Sequence, residues 1–356
     1  MSLATTSASA SCRRYRVVQW ATGALGRSAI RGVLERDDME LAGAWVHAPA
    51  KVGADAGTLA GRDPVGVAAT GDLGEILDLE ADCVLYAPTP RPDRFAELET
   101  ICALLASGKN LISLTGLVYP RAHGPLFVSE LEQACKRGGA SVHGSGVSHG
   151  FMADVMPLVL SRLSRRITHV YARECSDFAR HPSWRMVHEV LGFGKDEETY
   201  LRTLRAARAT MRALFSESLH LIAAGLGVDL DEIDVDADHR LAGADLVTAA
   251  GPIPRGTVAA DRWTFSGIAA GRPVITVEIV HKADAARMPD EWGRPGYSLR
   301  VDGRPPLTLS AGEEWISDAI SAASAHAVNS VPAVCRADPG IRTYLDLPMV
   351  TGRMHL

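Results

Sequence analysis

The stretch Val17–Gly26 constrains this chain more than any other. It reads Val-Val-Gln-Trp-Ala-Thr-Gly-Ala-Leu-Gly. Val17 and Val18 read as the end of a buried strand, and Arg27–Leu34 opens a helix. Between them, Ala21-x-Gly23-x-x-Gly26 fits the dinucleotide-binding fingerprint with its first glycine replaced by alanine. Each small residue has its own task. The first permits a sharp turn, Gly23 lets backbone approach a pyrophosphate, and Gly26 lets the helix pack tightly on the sheet. The helix N-terminus adds free N–H groups and partial positive charge. Ala21, Thr22, Gly23, Ala24, Leu25 and Gly26 are therefore the first cofactor candidates. A glycine pattern alone is weak evidence; a strand before it, a helix after it and the strand-like run Met39–Val46 strengthen it.

The rest of the first half alternates. Strands are expected at Arg16–Trp20, Leu41–Val46, Cys83–Ala87, Asn110–Leu114 and Ala140–His143. Helices are expected at Leu25–Arg36, Asp72–Leu77, Asp93–Ser107 and Phe127–Arg137. Ala48–Thr70 reads as a long Gly/Ala/Pro-rich loop. Such alternation implies a parallel, doubly wound sheet. The texture changes after about Gly150. Asp154–Leu163 is helical, Ile167–Glu174 alternates like a half-buried strand, and Glu197–Leu226 is a long helical stretch broken at Gly225 and Gly227. Strands at Asp234–Asp238, Gly256–Ala269, Pro273–His281 and Tyr297–Val301 follow without intervening helices, which implies an antiparallel sheet. Glu313–Val328 returns to helix.

The 356 residues suffice for two domains. A net charge of −5 gives no reason to expect nucleic acid as a partner. No apolar run approaches the roughly 20 residues that span a bilayer. The six cysteines are scattered without a C-x-x-C pair, which excludes zinc and redox motifs and fits a reduced, cytoplasmic compartment. No histidine cluster has metal-ligand spacing. The Ser/Thr/Ala-rich start reads as a disordered tail.

Several stretches together resemble the dihydrodipicolinate-reductase-like superfamily, in the branch of 2,4-diaminopentanoate dehydrogenase and the native NAD(P)H-dependent amine dehydrogenases. The carrying residues are Trp20–Arg27, Lys51-Val52-Gly53 with Asp55-Ala56-Gly57, and Gly108–Ile112. To these add Leu117-x-Tyr119-Pro120, Gly144-x-Gly146-x-x-x-Gly150-Phe151, and Asn329-Ser-Val-Pro332-Ala-Val. The resemblance implies an α/β fold: a Rossmann domain, a second α+β domain whose open mixed sheet covers the nicotinamide, and a homodimer built largely through that second domain. The expected division is a tail at 1–14, the Rossmann domain at 15–150, a substrate and dimerisation domain at 151–328, and a C-terminal segment at 329–356 that returns to the Rossmann domain. In the characterised amine dehydrogenases a glutamate just before the Leu-x-Tyr-Pro run activates ammonia or the amine. Here Thr115 and Gly116 stand there, and neither is a carboxylate base. His149 occupies a position where the family often has proline.

NAD-specific Rossmann domains place an acid about 20 residues beyond the glycines. Here that region is Val46-His47-Ala48, and the first acid after it is Asp55. His47 and Lys51 stand there instead, which favours NADPH or use of both nucleotides. The alternative is that both are solvated loop residues. Ligands of such sheets bind outside the carboxyl ends of the strands, which selects Pro88-Thr89, Thr115-Gly116-Leu117 and Gly144–Gly150. Catalytic candidates are His149, Glu174, Asp177 and Thr115; for Glu174 and Asp177 the competing role is an ion pair with Arg173 or Arg180. Tyr119, Ser148, His181 and Trp184 are substrate-contact candidates. Asn329, matched to the family's C-terminal helix segment, is a candidate for the nicotinamide carboxamide, or else a helix-end cap.

Three activities remain open at this level. One is NAD(P)H-dependent reduction of C=N, including amination of a small hydrophobic ketone or aldehyde and its reverse. The second is reduction of C=O or C=C bonds without ammonia. The third is a non-catalytic NADPH-binding sensor.

Overall fold

The computed structural model describes residues 14–89, 95–288 and 290–354. All of the expected tail but Arg14 lies outside the described residues, as does the expected helix start at Asp93. The first half alternates strand and helix. Its strands are β1 (Tyr15–Trp20), β2 (Met39–Trp45), β3 (Ala69–Thr70), β4 (Cys83–Tyr86), β5 (Asn110–Ser113) and β6 (Ser141–Gly144). Its helices are α1 (Ala24–Leu34), α2 (Ala56–Leu59), α3 (Leu73–Asp78), α4 (Phe95–Ala106) and α5 (Pro125–Gly138). The strands pair in parallel in the order β6-β5-β4-β1-β2-β3. Alternate residues of each strand enter two separate cores. Val17, Leu85 and Ile112 pack with Ile30 of α1, while Val18, Val84 and Leu111 pack with Leu104 of α4 and Leu131 of α5. Both faces are covered, so these strands are apolar throughout.

The segment expected as loop, Ala48–Thr70, is more ordered than its composition implies. Asp55 caps α2 by accepting from the Thr58 N–H at 3.1 Å and also binds the Gly66 N–H at 2.8 Å. The chain then supplies β3 as the sheet edge.

The second half contributes α6 (Val155–Ser161), β7 (Arg165–Asp177), α7 (Glu197–Leu226), β8 (Glu232–Leu241), β9 (Leu246–Thr248), β10 (Gly251–Ile253), β11 (Val258–Ala269), β12 (Arg272–Lys282), β13 (Gly296–Arg304) and β14 (Leu307–Ala311). Six of these strands form one sheet in the order β14-β13-β7-β12-β11-β8, and β9 pairs with β10 alone. The sheet is mixed rather than purely antiparallel, because β7 lies between β13 and β12 and runs parallel to β12. The chain leaves after β7 through α7 and re-enters at the far edge. Gly225 does not break α7. A Cβ there would sit 2.6 Å from Leu158 Cδ2, so the glycine admits α6 closely; the helix ends at Gly227, in the left-handed region with φ +69°.

The last helical stretch divides at Asp318 into α8 (Glu313–Ser317) and α9 (Ala319–Arg336). α9 continues through Pro332, so Asn329 is interior to a helix and not a cap at its end. Ala327, Val328 and Val331 of α9 join the core beneath α1, and Ser324 Oγ lies 2.7 Å from Ser28 Oγ. A final strand, β15 (Gly340–Ile341), extends the first sheet beside β6. Among the described residues no helix is long and apolar enough to cross a membrane, and no cluster of side chains could hold a metal ion.

Candidate functional site

The fingerprint turn has the geometry its residues require. Ala21 adopts φ +70°, a left-handed conformation that costs an L-residue roughly 1–2 kcal/mol. Gln19, fully buried, steadies it: its Nε2 reaches the carbonyls of Trp20 at 3.0 Å, Ala21 at 3.0 Å and Leu85 at 3.1 Å. A Cβ on Gly26 would run into the Ala21 carbonyl oxygen, so only glycine lets α1 start this close to β1. Gly23 is the opposite case, with no atom within 4 Å of where its Cβ would be. An exposed, side-chain-free backbone at the N-terminus of an 11-residue helix fits a pyrophosphate.

Lys51 folds back onto this turn, its Nζ 3.2 Å from both the carbonyl and the hydroxyl oxygen of Thr22. His47 is exposed and leans on Trp45, which stacks on Trp20 at 4.1 Å. The first acid after β2, Asp55, is consumed by α2 and its loop. Pro88 and Thr89 follow β4 at the same edge of the sheet.

Thr115 and Gly116 follow β5 and are buried; the Thr115 N–H donates to Ser113 Oγ at 3.2 Å. The turn continues through Leu117, at φ +68°, and a Cβ on Gly144 would strike the Leu117–Val118 backbone. The loops after β5 and β6 therefore touch. Two adjacent residues of α7 hold both. Glu217, fully buried, accepts from the Tyr119 N–H at 3.0 Å and pairs with His123 Nε2 at 2.7 Å. Ser218 donates to Asp154 at 2.8 Å, and Asp154 takes the Gly150 N–H at 2.7 Å. Burial pushes the Asp154 carboxyl up to about 6 despite these donors.

Beyond β6 the loop Gly146–Met152 separates two spaces. On the second-domain side Glu174, Ser148 and Tyr297 line a gap too narrow for water. Glu174 accepts from Ser176 Oγ at 2.7 Å, and burial raises its pKa. On the other side lies a cavity of about 280 Å³ lined by Val147, Phe151, Met152, Trp315, His326 and Asn329, among others. Phe151 and Met152 thus bound one cavity. Trp184, a substrate-contact candidate, does not line it; it is 57% exposed beside His188.

Other candidates are spent elsewhere. Asp177 accepts from the N–H groups of Ala179 and Ala285 at 3.0 and 3.2 Å, holding a turn and not an arginine. His181 packs on Phe178. The His149 ring meets Phe215 of α7, 6.3 Å away. Tyr119 stacks on His220. Asn329 lines the cavity, but its Oδ1 accepts from Arg36 at 2.9 Å, beyond the C-terminal end of α1 and far from the phosphate end.

Gln19, Asp154, Glu217, His326 and Tyr344 shape the site and were not singled out from sequence. One signal was available for His326. Ala322, Ala325, His326 and Asn329 recur at helical spacing, opposite the apolar stripe of Ala323, Ala327, Val331 and Val334.

A family model described as dihydrodipicolinate reductase, N-terminus, matches residues 17–116, and one described as the 2,4-diaminopentanoate dehydrogenase C-terminal domain matches residues 151–355. An amine dehydrogenase of Streptomyces virginiae is 32% identical over 348 residues, 93% of this chain and 96% of that protein. The 2,4-diaminopentanoate dehydrogenase of Acetoanaerobium sticklandii is 24% identical over 235 residues, 65% of this chain and 64% of that one. The structure of an amine dehydrogenase from Mycobacterium smegmatis has the same fold, with a TM-score of 0.78 at 24% identity, covering 95% of this chain and 97% of that one. A dinucleotide turn open at Gly23, a cavity beside the loop after β6 and these matches across both halves lead to one conclusion: the chain belongs to the 2,4-diaminopentanoate dehydrogenase and amine dehydrogenase family, and is an amine-dehydrogenase-like, NAD(P)-dependent oxidoreductase.

Proposed function

We propose that the protein interconverts a small hydrophobic ketone or aldehyde and its primary amine, with NADPH preferred over NADH. The nicotinamide supplies the hydride when bound; the chain positions, excludes water and moves protons. Ala21–Gly26 cradle the pyrophosphate. Lys51 and His47 take the adenosine ribose and its 2′-phosphate, where no acid repels them. Pro88, Thr89, Thr115 and Gly116 flank the nicotinamide. The cavity receives the apolar body of the substrate against Phe151 and Met152.

The observation that carries this reading is that cavity, apolar apart from a few polar groups and walled on one side by the loop after β6. The enzyme acts as a homodimer. Its compartment is the cytoplasm, which the five described free thiols fit.

The test is NADPH oxidation with butanone, with and without ammonium. Turnover only with ammonium is expected. Turnover without it would make the protein a carbonyl reductase, a second reading favoured by the missing carboxylate at Thr115-Gly116. Nucleotide preference is read by calorimetry, where tighter NADH binding would overturn the preference for NADPH.

A further inference from the structure

His326 stands in the wall of the cavity, and three contacts fix its ring. Nδ1 lies 3.0 Å from the Gly146 carbonyl oxygen. One ring face stacks on Tyr344, with centroids 5.5 Å apart, and Phe151 meets it edge-on at 4.9 Å. Tyr344 is itself held between His326 and His143, its ring 4.6 Å from His143. A carbonyl oxygen only accepts, so Nδ1 must carry the proton. In the neutral ring that leaves Nε2 as a lone pair. Burial lowers the His326 pKa, with the Gly146 bond opposing, so the ring is neutral at neutral pH.

We infer that His326 Nε2 is the group that receives the substrate nitrogen, and that it selects amine over ketone in this cavity. The inference rests on the amine reading above and names a residue for it. A hydrogen-bond acceptor in an apolar wall rewards a ligand that donates. An amine N–H donates; a ketone oxygen does not. A ketone set against Nε2 would leave two acceptors facing each other without a proton. No charged side chain lines the cavity among the described residues; besides the His326 ring, its polar side chains are Asn329, whose Oδ1 is held by Arg36, and Thr351. His326 thereby supplies near α9 a nitrogen-recognising group that Thr115 and Gly116 cannot supply near β5. Glu174 does not compete for this role, because its gap admits no ligand.

The experiment compares sec-butylamine with butanone by calorimetry on the full chain without nicotinamide, for the native protein and for His326→Leu and His326→Phe, neither of which offers an acceptor. The native protein is expected to bind the amine about tenfold more tightly than the ketone. Both variants are expected to lose that preference while keeping ketone binding; the phenylalanine variant serves if the leucine variant does not fold. A preference that survives in the folded variants, or is absent from the native protein, overturns the inference. Kinetics separate it from the activity itself. If amine turnover persists with an unchanged KM in the variants, His326 is not the receiving group and the reaction stands. If no amine turns over but the binding preference follows His326, the reaction reading falls and the site stands.

Discussion

Lys51 is drawn onto the phosphate turn by two oxygens of Thr22, and this sets how it acts on a nucleotide. On the proposed reading, a cation so close to the turn would serve the pyrophosphate and the adenosine ribose together. Lys51→Ala should weaken NADPH binding about tenfold and NADH binding less, as read by calorimetry; equal losses would mean that it serves the pyrophosphate alone. His143 shows the cost of burying a titratable ring. Burial lowers its pKa to about 4, against the bond to the Arg342 carbonyl at 2.7 Å, and its Nε2 is buried without a partner. The unfolded chain takes up a proton near the ordinary histidine value, while the native state refuses it until far lower pH. The stability held above the unfolded pKa is therefore lost as pH falls toward the folded one. Urea denaturation should show this group costing about 2 kcal/mol between about pH 7 and pH 5. His143→Gln should flatten that slope, and an unchanged slope would place the loss elsewhere.

The elements differ in how far local sequence determines them. β1, α1 and the turn between them were legible because their constraints are local: apolar runs, then small residues where backbone must bend or approach. The parallel pairing of β12 with β7 was not, because it depends on where the chain re-enters the sheet after α7. Gly225 misled for the same reason, since contacts distant in sequence override local propensity. The supports of the site escaped likewise: Asp154 reads as a helix cap, and Glu217 as one polar residue in a long helix, until folding sets them against the loops after β5 and β6. Glu174 and His149 were legible as residues but not in direction, for strand register and a φ of +108° at Gly150 decide where they point. Contact between the two loops gives an element-level prediction. Gly144→Ala must push the Leu117–Val118 backbone away from β6. It should cost about 1–3 kcal/mol in thermal or urea melts and weaken NADPH binding together with stability. Unchanged melting and unchanged affinity would mean that the two loops move independently.

At the scale of the whole molecule, the long helices cover one face of the second sheet, while the segment around Trp292 and Gly293 covers one end of the other, over Arg262, Arg173 and Lys282. The row Phe265, Val277, Ala172 and Leu299 points at α6 and α7 and is fully buried. The opposite row at the next register, Thr264, Glu278, Arg173 and Ser298, carries polar side chains, and Arg173 lies against Gly293. Tyr171 binds Glu278, His169 meets Thr276 at 3.0 Å, and Arg300 lies over the Tyr171 ring at 5.2 Å. These partners satisfy one another in advance, and side chains fixed in this way lose little entropy when a second surface arrives. A flat sheet with ordered polar groups suits a two-fold interface, in which the same patch meets itself. The homodimer proposed above should therefore form through this face. Sedimentation at micromolar concentration should give twice the chain mass, and Thr276→Arg, at the centre of the face, should give one chain mass while nucleotide binding by the first sheet is retained. A native protein that sediments as a single chain would remove the dimer. A dimer indifferent to Thr276→Arg would move the interface to the other exposed apolar ground, around Trp315 and Ile320 at the start of the last helices.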